Sequence, residues 1–172
     1  LLAETKALQE KVLAAYEKYE FRKAHLLLFD FCNDTLSAFY CAAVKDRLYC
    51  DAADSPRRRR AQTVIFDVLE VLCRLLAPIL PHTADEAYRS LWRDESKCIH
   101  LQKTFTLACA PADANWPTVL AERERVLKAL ETAKANGVEN PLDAEVVLPD
   151  SDGRLAPFAE ELPDVFGVSR VS

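Results

Sequence analysis

Methionine is missing from all 172 residues, position 1 included, and glycine is missing from the first 136. The first absence makes a piece of a longer polypeptide the expectation. The second removes glycine-lined phosphate cradles: with Gly137, Gly153 and Gly167 as the only glycines, neither a GxGxxG turn nor a Walker-type loop can be written. Binding of a nucleotide cofactor by these residues is therefore not expected. Long apolar runs are missing too. None approaches the roughly 20 residues that span a bilayer, and the start Leu1-Leu2-Ala3-Glu4-Thr5-Lys6 lacks the charged, then apolar, then small-residue layout of a signal peptide. A soluble, cytoplasmic chain with no membrane partner is the expectation.

Metal and nucleophile signatures are equally scarce. The six cysteines, Cys32, Cys41, Cys50, Cys73, Cys98 and Cys109, contain no CxxC pair, and equal nine-residue steps between the first three throw neighbours to opposite faces of a helix. Small buried thiols in a reducing compartment are expected; the alternative is a zinc site assembled from distant parts of the chain. His25, His82 and His100 show no HExxH spacing and stand in no nucleophile motif. His82, between Pro81 and Thr83, reads as a capping or packing residue. Neighbouring carboxylates such as Asp85/Glu86 and Glu160/Glu161 fall in the first turns of expected helices, where the dipole favours them. No catalytic residue and no metal ligand is assigned.

What is present is half hydrophobic, enough for a real core. Leu8, Val12, Ala15 and Tyr19 keep the rhythm of a first amphipathic helix, and Cys32, Leu36, Phe39 and Ala43 repeat it within a longer second one from about Phe21 to Leu48. A third, from about Pro56 to Leu76, carries two adjacent stripes, Val64/Val68/Val71/Leu75 and Ile65/Leu69/Leu72/Leu76, so it should be the central helix of a bundle. Pro78 and Pro81 stop it, and Thr83 followed by Glu86 reads as a capping box opening a fourth helix to about Trp92. The pattern then loosens, with Ile99, Leu101 and Phe105 hinting at extended chain, until Trp116-Pro117 opens a helix to about Ala135. A strand from Ala144 to Leu148, a turn at Asp150-Ser151-Asp152-Gly153 and a short helix from Pro157 to Leu162 follow. The expected fold is mainly α: an antiparallel helical bundle over residues 1–93, then a linker, a helix and a small α/β appendage over residues 94–172.

The formal net charge of −5 argues against indiscriminate coating of nucleic acid; RNA binding would have to come from a local basic surface on an acidic body. One such place exists. Arg57, Arg58, Arg59 and Arg60 follow Ser55-Pro56, a pair that reads as helix N-cap and first helical residue. Positive charge at a helix N-terminus opposes the macrodipole, by about 0.3 to 1 kcal/mol for each exposed charge. Asp51 and Asp54 offset part of this, and two readings stand: a solvated basic turn, or a site that takes an external anion such as RNA phosphate. Lys45 and Arg47, a short turn away, join the basic set. Asn33, Tyr49 and Gln62 are the candidates for hydrogen bonding or stacking with unpaired bases, Tyr49 being equally readable as a core residue with its hydroxyl at the edge.

Four motifs occur in order: Phe31-Cys32-Asn33-Asp34-Thr35-Leu36-Ser37-Ala38-Phe39-Tyr40, Lys45-Asp46-Arg47-Leu48-Tyr49, Arg59-Arg60-Ala61-Gln62-Thr63, and Leu76-Ala77-Pro78-Ile79-Leu80-Pro81-His82-Thr83-Ala84-Asp85-Glu86. Together they closely resemble the anticodon-binding helical domain of bacterial-type isoleucyl-tRNA synthetases. The resemblance continues through Asn115-Trp116-Pro117, Leu130-Glu131, Leu142-Asp143-Ala144-Glu145-Val146 and Phe166-Gly167-Val168-Ser169. The last of the four motifs alone also fits valyl-, leucyl- and methionyl-type relatives; Lys45 to Tyr49 and the tail favour isoleucine. Gly137-Val138-Glu139-Asn140-Pro141-Leu142-Asp143-Ala144 departs from the family's usual glycine and two small residues before Leu-Glu-Ala.

The resemblance implies a parent enzyme that joins isoleucine to its tRNA with ATP and magnesium, and with zinc in members that carry a cysteine-rich module. This part would hold the anticodon stem and loop of tRNA(Ile), in a monomer, beside the catalytic and editing domains of the same polypeptide. The family's catalytic signatures, a His-Ile-Gly-His-like motif and a Lys-Met-Ser-Lys-Ser-like loop, are not written in these residues, so no amino-acid activation and no cofactor are expected of them alone. A helical module that contacts an acidic protein through the same basic end is the competing reading.

Overall fold

The computed structural model describes residues 1–135, 137, 140, 142, 144–150 and 152–172. Helix α1 (Leu2–Glu17) buries Leu8, Val12 and Ala15, together with the polar Thr5 and Gln9. Its stripe ends earlier than expected. Tyr19 takes a left-handed φ of 57° and is 81% exposed, while the amides of Lys18 and Glu20 both close on the Ala15 carbonyl. That tight closure turns the chain back along α1 as α2 (Phe21–Asp30).

The single helix expected from 21 to 48 is three pieces: α2, a π-helical stretch Phe31–Cys41, and the short α3 (Lys45–Tyr49). The inward residues explain the widening. Ala24, Leu28, Cys32, Leu36 and Tyr40 are each four apart, and in an α-helix every such step advances about 40° around the axis, so the stripe would leave the core. The wider i→i+5 turn drifts the other way. Ala24 and Leu28 are buried in the core, with Cys32 and Leu36 packed against it.

Helix α4 (Pro56–Leu76) is the central helix, as its two stripes require. Val68, Val71, Leu72 and Leu75 pack with Leu8, Val12, Ala24, Leu28 and Phe31 on one side, and Cys73 packs with Ala84 and Tyr88 of α5 on the other. Helix α5 runs from Pro81 to Trp92 with Leu80 as its N-cap, so Thr83 lies inside the first turn and the expected capping box does not form. Proline at the first helical position explains the earlier start: its φ is preset and it brings no N–H that needs a partner. The helix closes on a left-handed Arg93 (φ 51°), and the Asp94 amide reaches back to the Arg89 carbonyl.

Residues beyond Arg93 stay on this body. Asp85 Oδ1 accepts the Ile99 amide at 2.9 Å at the start of a 3-10 turn, Ile99–Leu101. Farther on, the buried Gln9 amide donates to the Phe105 carbonyl and accepts the Leu107 N–H at 3.0 Å, which seats Leu107 in the core. One compact unit thus comprises Leu1–Cys41 and Arg47–Pro111.

The second unit, Ala42–Asp46 with Ala112–Ser172, holds α6 (Trp116–Ala135) and the small α/β part. Strand β1 (Glu145–Val146) pairs in parallel with β2 (Arg170–Val171), Glu145 opposite Arg170 and Val146 opposite Val171. Between them the helix expected from Pro157 to Leu162 splits into a 3-10 turn, Ala156–Phe158, and α7 (Leu162–Phe166), which starts where Pro163 suits a first turn. The Asp150 carboxylate accepts the Leu155 and Ala156 amides at 3.0 and 3.1 Å, and Arg123 Nε donates to the Val165 carbonyl at 3.0 Å, tying α6 to α7. Ser151 of the expected turn, and Val138, Glu139, Pro141 and Asp143 of the divergent segment, lie outside the described residues. No helix among the described residues is long and apolar enough to cross a membrane.

Candidate nucleic-acid interface

The start of α4 is braced by Asp51. Ser55 occupies the expected N-cap position, but its hydroxyl donates to Asp51 Oδ2 at 2.9 Å instead of capping the helix. Arg58 turns inward to the same residue, donating from Nη1 to the Asp51 carbonyl at 2.8 Å. Its Nε is enclosed without a hydrogen-bond partner among the described residues. Arg57, Arg59 and Arg60 are exposed. The split follows from helical geometry, because four consecutive residues sweep about 300° and cannot face one way. That signal was available in the sequence.

Gln62 is exposed one turn from Arg59, on the same flank of α4, and Ala61 between the two flanks is buried. Tyr49 is 80% exposed, which decides against a core role. Arg47 is half-buried and close enough to Tyr40 to matter electrostatically: burial raises the Tyr40 phenol pKa, and the Arg47 guanidinium pulls the other way. Asn33 is exposed on the π-helical stretch and donates its amide to Asp34 Oδ1 at 2.7 Å. Lys45 is exposed and belongs to the second compact unit, so it is not grouped with the arginines.

Other candidates have structural roles. Asp85, read as a dipole-complementing acid, binds the Ile99 amide and pairs with Arg89 at 2.7 Å; these bonds, the amide first, hold its carboxyl below the ordinary value despite some desolvation. His82 is exposed in the first turn of α5, and His25 is exposed and stacks on Phe29 of α2 at 6.1 Å between ring centres. Cys73 is buried and its thiol pKa is pushed up to about 11, chiefly by desolvation, whereas Cys41 and Cys50 are exposed, against the expectation of buried thiols. No group of three or more His, Cys, Asp or Glu side chains that could hold a metal occurs among the described residues.

Residues 1–148 match the family model described as the anticodon-binding domain of tRNA ligase. Among curated proteins, the chain is 38% identical to an isoleucine–tRNA ligase of Brevibacillus brevis, with 99% of this chain and 20% of that protein covered. It is 36% identical to the Fervidobacterium nodosum isoleucine–tRNA ligase, over 95% of this chain and 19% of that protein. The Bacillus subtilis isoleucine–tRNA ligase is 37% identical, over 100% of this chain and 20% of its own length. The chain therefore spans about a fifth of the length of the relatives it matches.

Proposed function

The chain belongs to the family of anticodon-binding domains of tRNA ligases, and on that premise we propose that it holds the anticodon stem and loop of tRNA(Ile) for an isoleucine–tRNA ligase. The observation that carries the reading is the family match over residues 1–148, joined by isoleucine–tRNA ligases that align with nearly the whole chain. The physical support is the exposed basic start of α4 on a chain of net charge −5.

Phosphate contacts position an RNA and base contacts select it. Arg57, Arg59, Arg60 and Arg47 take the first role; Asn33, Tyr49 and Gln62 take the second, Tyr49 by stacking on an unpaired base. Arg58 contributes indirectly, by fixing the helix start through Asp51. The chemistry of aminoacylation, with ATP and magnesium, and zinc where a cysteine-rich module is present, belongs to the catalytic part of the parent enzyme, a cytoplasmic monomer. What this domain supplies is affinity and the orientation of the tRNA.

The test is equilibrium binding of transcripts of tRNA(Ile), tRNA(Val) and tRNA(Met), with an acidic protein as competitor. Tightest binding to tRNA(Ile), unaffected by the acidic protein, is expected. Preference for another tRNA reassigns the parent enzyme, and equal binding of the acidic protein overturns the RNA reading.

A further inference from the structure

The basic start of α4 continues into an aromatic site. Arg59, Gln62 and Phe66 stand at i, i+3 and i+7, one stripe of the helix. Because α5 returns along α4 after the turn at 77–80, its last residue, Trp92, arrives beside Phe66, and the rings meet edge to face at 5.3 Å between centroids and 77°. Trp92 keeps 39% of its surface in solvent, and the Lys97 ammonium lies 4.3 Å from its ring centre. Arg59 and Phe66 are about 10 Å apart along the axis, near the rise of three stacked nucleotides at about 3.4 Å each.

We propose that Trp92 is a stacking platform for an unpaired nucleotide of the bound RNA, with Arg59 and Lys97 on the flanking phosphates. This deepens the tRNA-binding reading and rests on it. The exposed indole, with Lys97 over its face and Arg59 on the same strip, suits an occupant that is both flat and anionic, as a nucleotide is and an acidic side chain is not. Asp94 accepts the Ser96 amide at 3.0 Å and the Ser96 hydroxyl at 2.6 Å and remains a charged neighbour of Lys97, Glu70 is paired with Arg74 at 3.0 Å, and Glu95 is exposed in the turn after α5. Lys97 sits on the ring by a cation–π contact, a weak hold at a solvated site. A base, flat and polarisable, replaces it over the indole, and the ammonium turns to the adjoining phosphate. Sequence tolerance follows, since every base has a π-face.

Trp116→Phe leaves Trp92 as the remaining tryptophan of the two, so its emission reports the site. Titration with the tRNA(Ile) transcript, and separately with its anticodon stem and loop, should quench that emission and protect it from acrylamide. Trp92→Leu should weaken binding by about 5- to 100-fold with the salt slope unchanged, while Lys97→Gln should lower the slope of log K against log salt by roughly 0.7 to 0.9. Trp92→Phe keeps a ring against Phe66 and should retain most of the affinity. Unaltered Trp92 emission at saturating tRNA, or parental affinity of a folded Trp92→Leu, overturns the platform and leaves the tRNA reading standing. Failure of the parent chain to bind tRNA defeats that reading and this one with it. An emission change on adding an acidic protein but not RNA makes the strip a protein surface and overturns the proposal.

Discussion

Asp51 serves two neighbours at once, its carboxylate taking the Ser55 hydroxyl and its carbonyl taking Arg58. A side chain so placed contributes to folding in a way that the exposed arginines beside it do not. Arg58→Gln should therefore cost about 1 to 2 kcal/mol in chemical denaturation, a charged hydrogen bond lost at a partly enclosed site, whereas Arg60→Gln should stay within about 0.5 kcal/mol. Equal effects would mean that the Asp51 brace contributes nothing. Asp85 gives the pH counterpart. Its carboxyl titrates below its ordinary value near 3.8 because the Ile99 amide, and then Cys98 and Arg89, favour the charged form. The stabilisation is present above pH 3.8 and is lost as pH falls through the lower folded-state value. Acid titration of thermal stability should accordingly flatten below pH 3.8 in Asp85→Asn relative to the parent. Thiol labelling followed by mass spectrometry should modify Cys41 and Cys50 first, and Cys73, buried and pushed to about 11, only on unfolding.

At the scale of elements, what is local was readable. α4 follows from its two apolar stripes and the proline at its first position, and α6 from Trp116-Pro117. The widening at Phe31–Cys41 was not, because a four-residue repeat reads as helix whether its turns are narrow or wide, and only packing on α1 and α4 selects between them. Tyr19 kept the stripe on paper but falls beyond a closure made by backbone amides. The site divides the same way. The basic end and Gln62 were legible as residue types, and helix geometry required that the four arginines not all face one way; that Arg58 is the one held inward depends on a loop seven residues earlier in the chain. Gln9 was illegible altogether, since its partners lie near residue 106, 96 and 98 positions away. Gln9→Leu should leave the Phe105 carbonyl and Leu107 amide unpaired, lowering stability by about 1 to 3 kcal/mol and raising amide exchange around Leu107. On α2 the contrast is one of burial: Leu28→Ala should cost about 2 to 5 kcal/mol, and Leu26→Ala, 46% exposed, within about 0.5.

For the whole molecule the governing quantity is charge, 22 basic against 27 acidic side chains. A polyanion approaching this body meets net repulsion at a distance and attraction close to its basic side chains, which are most concentrated in sequence at the start of α4. Screening separates the two, since the Debye length is about 8 Å at physiological salt and about 30 Å at 0.01 M. Near physiological salt, affinity should then follow the local contacts, with log K falling linearly against log salt. Replacing Arg59 and Arg60 together by glutamine should reduce that slope by roughly 1.4 to 1.8, at 0.7 to 0.9 for each phosphate contact. Affinity should fall alike for tRNA(Ile) and tRNA(Val), because backbone contacts carry no sequence information. Asn33→Ala or Gln62→Ala should do the opposite, leaving the slope in place and narrowing the gap between the two tRNAs. An unchanged slope and affinity in the folded double-arginine variant would make the start of α4 a solvated turn, and the discriminating residues would then have to be sought elsewhere on the bundle.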